Sequence, residues 1–481
     1  MIRIPVLRSG QPYTSLDVAR LDHVQTGEPV AEVSQANAGL VARDLLQNSV
    51  ANRQALEALS TSDLLEICRQ AAGKFTDEEL PVGKSPQSPE DYVGQLSSTT
   101  GMPEALCRGN MAKIRYVLEN METVLAGLTR GLDLSVLDVG WNRRAERPVS
   151  YLRQADMLGA VLPGNSPGVH ALWIPAVAMK VPLILRPGRR EPWTPYRIAQ
   201  ALMAAGCPPE AFGYYPGDYA GATEILLRSH RSLMFGDAST VAPWKNDPRV
   251  ELHGPGWSKV ILAPDQSGRW REHLDLMATS IAENGGRSCV NASGVWVAEY
   301  GREIAEALAA RLAEIEALPL DDPRAALAAF PEPALARRIS DHIDGQLEIP
   351  GAEDLTARVR GSGRVVERDG LTFVLPTLVW CERPDHPLVA TELLFPFASV
   401  VELPGHELLD RLGPTLVGTV LTEDERFARS AMGCRQVERL NLGSLPTSRV
   451  SWEQPHEGNL FTHLYRRRAF QTLLDPGADA A

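Results

Sequence analysis

The 481-residue chain lacks most of the features that would make a sequence easy to class. No window approaches the ~18 consecutive apolar residues that a membrane-spanning helix needs. The N-terminus, MIRIPVLRSGQPYTSLD, has no charged-then-apolar leader pattern. Lys and Arg (48) are outnumbered by Asp and Glu (60), and the net charge of −12 argues against a general nucleic-acid binder, which needs a broad basic face. The six cysteines (68, 107, 207, 289, 381 and 434) form no C-x-x-C pair and no Cys/His cluster, so neither a disulfide framework nor a metal site is expected. A Gly-Lys-Ser occurs at 83–85, but position 78 is Glu where a phosphate loop requires its first glycine. No internal repeat is present. What remains is the balance of a globular protein, 44% hydrophobic and 22% charged, long enough for two or three domains and expected to be soluble and cytoplasmic.

The positive signals begin with periodicity. Residues 50–130 repeat apolar positions at three- and four-residue steps, as in Ile114, Val117, Leu118, Met121, Val124 and Leu125, and predict helices. From about 150, short apolar runs alternate with helical stretches: strands at Met157–Leu162, Pro182–Arg186 and Ser232–Phe235, with helices between them. That alternation predicts a parallel, doubly wound sheet whose ligands lie at the carboxyl ends of the strands. The loops after Leu162 and Arg186 are at such ends, yet no G-x-G-x-x-G follows any of these strands. A second α/β segment begins past 257.

Two residues compete for the role of nucleophile. Cys289 lies in Asn284-Gly285-Gly286-Arg287-Ser288-Cys289, a glycine-flanked loop between a helix predicted at 268–283 and a strand at 293–299. A thiolate displayed there can attack a carbonyl carbon. Ser166, in Gly164-Asn165-Ser166-Pro167-Gly168, formally matches the G-x-S-x-G elbow of serine hydrolases. In that elbow the residue after the serine donates its backbone N–H to the oxyanion, and Pro167 has none to give. The proline-bracketed turn is better suited to holding Asn165 still, so that its amide can donate to a developing oxyanion.

Four landmarks in order, Pro163-x-Asn165-x-Pro167, Phe235-Gly236, Asn284-x-Gly286-x-x-Cys289 and Glu392-x-x-x-Pro396, resemble the aldehyde dehydrogenase superfamily over roughly residues 110–450. The resemblance implies an α/β fold of two doubly wound lobes, one nucleotide-binding and one catalytic, with a small strand region for oligomerisation. It implies that Cys289 is the nucleophile, that Asn165 and the Cys289 N–H form the oxyanion hole, and that Glu392 holds the nicotinamide ribose. Pro163 and Gly236 would shape the coenzyme cleft. The corresponding boundaries are 1–256 for the nucleotide lobe with its helical N-terminal part, 257–440 for the catalytic lobe and 441–481 for a bridging segment. A C-terminal strand is expected to pair with a neighbouring subunit of a homodimer or homotetramer.

This chain departs from the family pattern twice. Hydrolysing members carry Glu-Leu-Gly-Gly-Lys-Ser, whose glutamate activates the deacylating water. Aligning Glu251-Leu252-His253-Gly254-Pro255-Gly256-Trp257-Ser258 on Ser258 places His253 there, with Glu251 two residues away. Without activated water an acyl-enzyme persists and exchanges with a thiol, so the segment is similar to the acyl-CoA reductase branch typified by luciferase systems. His253 is then a candidate general acid or base. The second departure replaces the glutamate of the family's Lys-Pro-Ser-Glu loop with Arg189, in Arg186-Pro187-Gly188-Arg189-Arg190. A guanidinium there suits a 2′-phosphate, which implies NADP(H) ahead of NAD(H). The expected activity is interconversion of an acyl thioester and its aldehyde, with coenzyme A as co-substrate. The alternatives are a hydrolysing aldehyde dehydrogenase and an inactive scaffold of the same fold. Trp173, Trp257 and Phe395 are candidates for the acyl tunnel.

Overall fold

The computed structural model describes residues 1–145 and 147–473. Two seven-stranded sheets organise it. In the first, Leu158–Val161 lies centrally, with Leu183–Arg186 and Phe212–Tyr214 to one side and Arg231–Phe235 and Val250–His253 to the other, all parallel. Strand order therefore reverses beside Leu158–Val161, and the crevice at that reversal is where a doubly wound sheet takes its ligand. The N-terminal strands Val6–Arg8 and Gln11–Tyr13 extend the sheet as an antiparallel edge. Every residue of Leu158–Val161 is buried, as expected of a parallel strand covered on both faces.

The second sheet has the order Ala352–Asp354, Thr377–Cys381, Phe397–Glu402, Ala292–Val297, Ser258–Leu262, Thr415–Leu421, Val437–Leu442, parallel except at its first strand. Its alternation feeds two cores. Val260, Leu262, Val295 and Val297 pack with Met277, Ile281, Ile304 and Leu308 on one face. Ile261 and Trp296 turn to the other, among Val379, Phe397 and Val420.

Of the segment 441–481, expected to bridge to another subunit, residues 474–481 lie outside the described residues. Tyr465–Arg468 pairs with Arg147–Arg153 of its own chain, in a three-stranded sheet completed by Trp141–Arg144, so this strand finds its partner within the chain. Arg147–Arg153 is the central strand of that sheet, so Tyr465–Arg468 and Trp141–Arg144 are its two edges, each paired on one side among the described residues. Residues 446–456 fold back over the carboxyl ends of both sheets instead of leaving the body. Among the described residues no helix is long and apolar enough to cross a membrane.

A buried polar knot registers the two sheets against each other. Asn110, on the helix Glu104–Glu119, donates its amide to Leu106 O (2.8 Å) and to Asn284 Oδ1 (2.7 Å), and its own Oδ1 accepts the Gly168 N–H (3.1 Å). Asn284 in turn donates to Ser166 Oγ and Ser288 Oγ, both at 3.0 Å. One network thus joins the Asn165 turn to the Cys289 loop. Asn110→Ala would leave Asn284 Oδ1 and the Gly168 N–H buried without partners, at about 1–3 kcal/mol each. The variant is expected to melt several degrees lower in calorimetry and to lose turnover; wild-type melting and turnover would show that the knot registers nothing.

Candidate active site

Why Cys289 stands where it does follows from the three residues Asn284, Gly285 and Gly286, all left-handed (φ 56°, 69° and 66°). Asn tolerates that region and Gly prefers it, so the helix Leu274–Ala282 can end and turn sharply toward the strand Ala292–Val297. Gly286 also has the Phe395–Pro396 backbone against it, where a Cβ would come within 2.4 Å of both Phe395 C and Pro396 N. Beyond the turn, Ser288 N–H donates to Asn291 Oδ1 (2.9 Å), and Ser258 Oγ donates to Cys289 O (2.8 Å). The thiol is left half-buried on the wall of a cavity of about 1080 Å3 between the two sheets.

That cavity brings together most of the residues singled out in the sequence: Cys289, Asn165, Pro163, His253, Gly236, Glu392, Arg189 and Arg190. Asn165 reaches across to the catalytic loop, its amide donating to Arg287 O at 2.6 Å. Glu392 accepts the backbone N–H groups of Gly256 (3.1 Å) and Trp257 (2.5 Å), and burial pushes its carboxyl up to about 7 against those two bonds. Arg190 lies 3.6 Å from Glu332, and Arg189 is exposed at the rim.

Five residues singled out in the sequence lie off this cavity wall. Arg186 does not line the cavity: its guanidinium donates twice to Gly217 O (3.2 and 2.9 Å), the nearest acceptor for a half-buried cation at that strand end. Glu251 does not face Cys289 either. It lies behind His253, 3.3 Å from Nε2, beside a smaller cavity. Of the tunnel candidates, Trp173 is buried with its indole N–H on His170 Nδ1 (3.1 Å), and neither Trp257 nor Phe395 borders the cavity. Leu394 and Trp452 line it instead.

The sequence reading missed His456 and Glu457 altogether. They come from the C-terminal loop, and His456 Nε2 stands 3.9 Å from Cys289 Sγ. Glu457 Oε2 bonds His253 Nδ1 at 2.5 Å. His253 also stacks on Phe235 (4.3 Å between centroids, 15° between planes). Burial disfavours the charged imidazole, but Glu457 and Glu251 outweigh it and raise His253 to about 9. It is therefore an imidazolium at neutral pH. His456 is the opposite: burial, then Arg439 and His253, hold it well below the usual histidine range, so it is neutral. Burial pushes the Cys289 thiol up, helped by Glu457 and Glu392 and opposed by the N–H groups of Cys289 and Val290. Donor atoms of Cys289, His456 and Glu457 all lie within 4.8 Å of one another, a span a divalent cation could bridge, although Glu457 is already engaged with His253.

These charges set a pH signature. His253, surrounded by Glu251, Glu457, His456 and His463, has a folded pKa above its ordinary 6.5. Its contribution to stability is complete below about 6.5 and is lost as pH rises through about 9, a span worth on the order of 3 kcal/mol. The difference in melting temperature between wild type and His253→Gln is expected to shrink from pH 6.5 to pH 10. A difference that stays constant would show that His253 is not held as a cation.

Comparison with known proteins agrees with this geometry. Residues 23–429 match the model of the aldehyde dehydrogenase family. An aldehyde dehydrogenase of Agaricus bisporus is 25% identical over 345 residues, 64% of this chain and 66% of that protein. The chain thus spans less than two thirds of that relative's length, and less again of two other curated relatives. Among solved structures, the aldehyde dehydrogenase KauB of Pseudomonas aeruginosa superposes with a TM-score of 0.77 at 16% identity, covering 98% of this chain and 96% of that one. An indole-3-acetaldehyde dehydrogenase solved with NAD+ gives 0.76 at 17% identity, covering 97% and 96%. The chain belongs to the aldehyde dehydrogenase family.

Proposed function

We propose that this chain interconverts an acyl thioester and its aldehyde through a covalent thioester on Cys289, using NADP(H), with coenzyme A as the exchanging thiol. The observation that carries the reading is His253. Hydrolysing members of the family place a water-activating glutamate at this position, and here the position holds an imidazolium pinned by Glu457 (2.5 Å) and Glu251 (3.3 Å). A cation whose ring proton is already shared with a carboxylate does not extract a proton from water. An acyl group on Cys289 then waits for a thiol. Asn165 would leave Arg287 O to donate to the oxyanion formed when Cys289 attacks.

The coenzyme fits the residues present. A Cβ on Gly188 would fall 2.7 Å from Pro163 O and 2.8 Å from Gly164 Cα, so the bare backbones of two strand-end loops close on each other at the mouth of the cleft. Gly236 follows the neighbouring strand, and Arg189, exposed at the cavity rim, would meet a 2′-phosphate. Glu392 would take the nicotinamide-side ribose hydroxyls. When bound, the coenzyme supplies the hydride that converts the acyl-enzyme to the aldehyde level. The same reading expects a homodimer or homotetramer, as is usual for the family.

A hydrolysing aldehyde dehydrogenase is the second reading. The neutral His456 favours it, since an imidazole 3.9 Å from Sγ is also within one water of an acyl carbon there. Aldehyde and NADP+ with and without coenzyme A separate the two: coenzyme reduction beyond one equivalent per site is expected to need coenzyme A and to yield acyl-CoA, and free acid formed in its absence would reverse the assignment. Arg189→Ala is expected to raise KM for NADPH roughly 10- to 100-fold, the equivalent of one charge-assisted contact, while leaving KM for NADH near the wild-type value. A variant with unchanged KM for NADPH would remove the coenzyme preference.

A further inference from the structure

The chain carries an imidazolium where its relatives carry a base, so the proton of a thiol with a raised pKa must go elsewhere. We propose that His456 is the general base and acid for Cys289, and that the His253–Glu457–Glu251 cluster is the anchor that positions it. This deepens the reading above only in its use of Cys289 as nucleophile, which both versions of the reaction share.

Position carries the argument. His456 Nε2 is 3.9 Å from Sγ, and the other groups around the thiol are unsuited to take its proton. Glu392 is bound by two backbone N–H groups, and Glu457 by His253. His253 is itself the cation. Burial beside the Arg439 guanidinium and the His253 ring disfavours the charged form of His456, and the two imidazoles lie nearly parallel with centroids 6.4 Å apart. The His456 lone pair is free for the thiol proton, and the cation formed on accepting it is offset by Glu457, whose Oε2 lies 3.9 Å from His456 Nε2.

The loop bearing His456 has little regular structure, so its placement depends on side-chain anchors. Arg439, on the strand Val437–Leu442, donates to Pro455 O (2.6 Å) and Ser451 O (3.0 Å). Glu457, one residue along, bonds His253 from the strand Val250–His253. The histidine that replaced the base has thus become the post to which the new base is tied.

The step balances as follows. The Sγ–H bond breaks, its proton passes to His456 Nε2, and the sulfur pair forms a bond to the acyl carbon while the carbonyl pair moves to oxygen. As the tetrahedral adduct collapses, the bond to the carrier sulfur breaks, and the departing thiolate takes the proton back from Nε2. No net charge is left on the protein.

Alkylation of Cys289 by iodoacetamide tests this without any substrate. The full chain is used with EDTA present, so that no cation occupies the thiol, and in a Cys434→Ser background, because Cys434 is the other half-buried thiol. His456→Ala and His456→Gln are expected to slow labelling roughly 100-fold near neutral pH, within the range of a lost general base. Added imidazole should restore the rate of His456→Ala in proportion to its concentration and leave wild type unchanged. His253→Gln should slow labelling less, by about 10-fold, since His456 is displaced but present. Labelling of both His456 variants at the wild-type rate, or slowed labelling that imidazole does not restore in a variant of normal melting temperature, would overturn the assignment. Because alkylation needs neither acyl thioester nor aldehyde, its outcome stands apart from the choice between acyl transfer and hydrolysis.

Discussion

A protonated imidazole held between two carboxylates fixes the geometry of this site. Burying His253 as a cation is unfavourable on its own; Glu457 and Glu251 reverse the sign. Removing one member of a buried ion pair costs far more than the pair contributes, because the survivor keeps its desolvation penalty. The cluster is therefore cooperative, and it couples residues 204 positions apart in sequence. Through it the C-terminal loop becomes part of the active site, closing the cavity with Trp452 and bringing His456 to the thiol.

The two sheets contribute unequally. The first supplies the proposed coenzyme cleft from its own strand ends, so that cleft would depend only on local turns: Pro163-Gly164-Asn165 after Leu158–Val161, Gly188-Arg189 after Leu183–Arg186 and Gly236 after Arg231–Phe235. The thiol sits on the second sheet, and its distance from Asn165 depends on the Asn110–Asn284–Ser166 knot. Small polar side chains suit that junction because each bond is short and directional, whereas apolar contacts would allow sliding.

How much of this could be read from the sequence follows the same division. The parallel α/β architecture and the placement of Cys289 and Asn165 on one cavity were legible because their signals are local: three left-handed residues written as Asn-Gly-Gly, and a proline on each side of an asparagine. Position 253 was legible as a missing carboxylate, but not as a cation, since its charge is set by Glu457. Arg186 and Arg189 look equivalent in the sequence; only the carbonyl of Gly217 shows that one is spent on the backbone. His456 and Glu457 had no motif to announce them. Their one available signal is Pro455-His456-Glu457-Gly458, two titratable residues set in a proline–glycine turn within an otherwise polar tail.

In the proposed acyl transfer, the chemistry of the exchanged group favours a histidine over a glutamate as the proton carrier. Hydrolysis consumes a water and leaves a carboxylate, so its base only has to pull a proton away. Thiol exchange is nearly symmetrical: one S–H is broken as another is made, both near pKa 8.5 when free. A group that shuttles a proton between two such sulfurs works best with an intermediate pKa, because a carboxylate holds the proton too weakly to collect it from a raised thiol. Imidazole meets that need, provided it is neutral when the thiol arrives. Burial, with Arg439 and His253 beside it, favours the uncharged form of His456, and Glu457 at 3.9 Å is the carboxylate that would offset the proton it takes up. In the proposed arrangement His253 is the link, since it holds Glu457 and so sets the position of the neighbouring His456 beside the thiol.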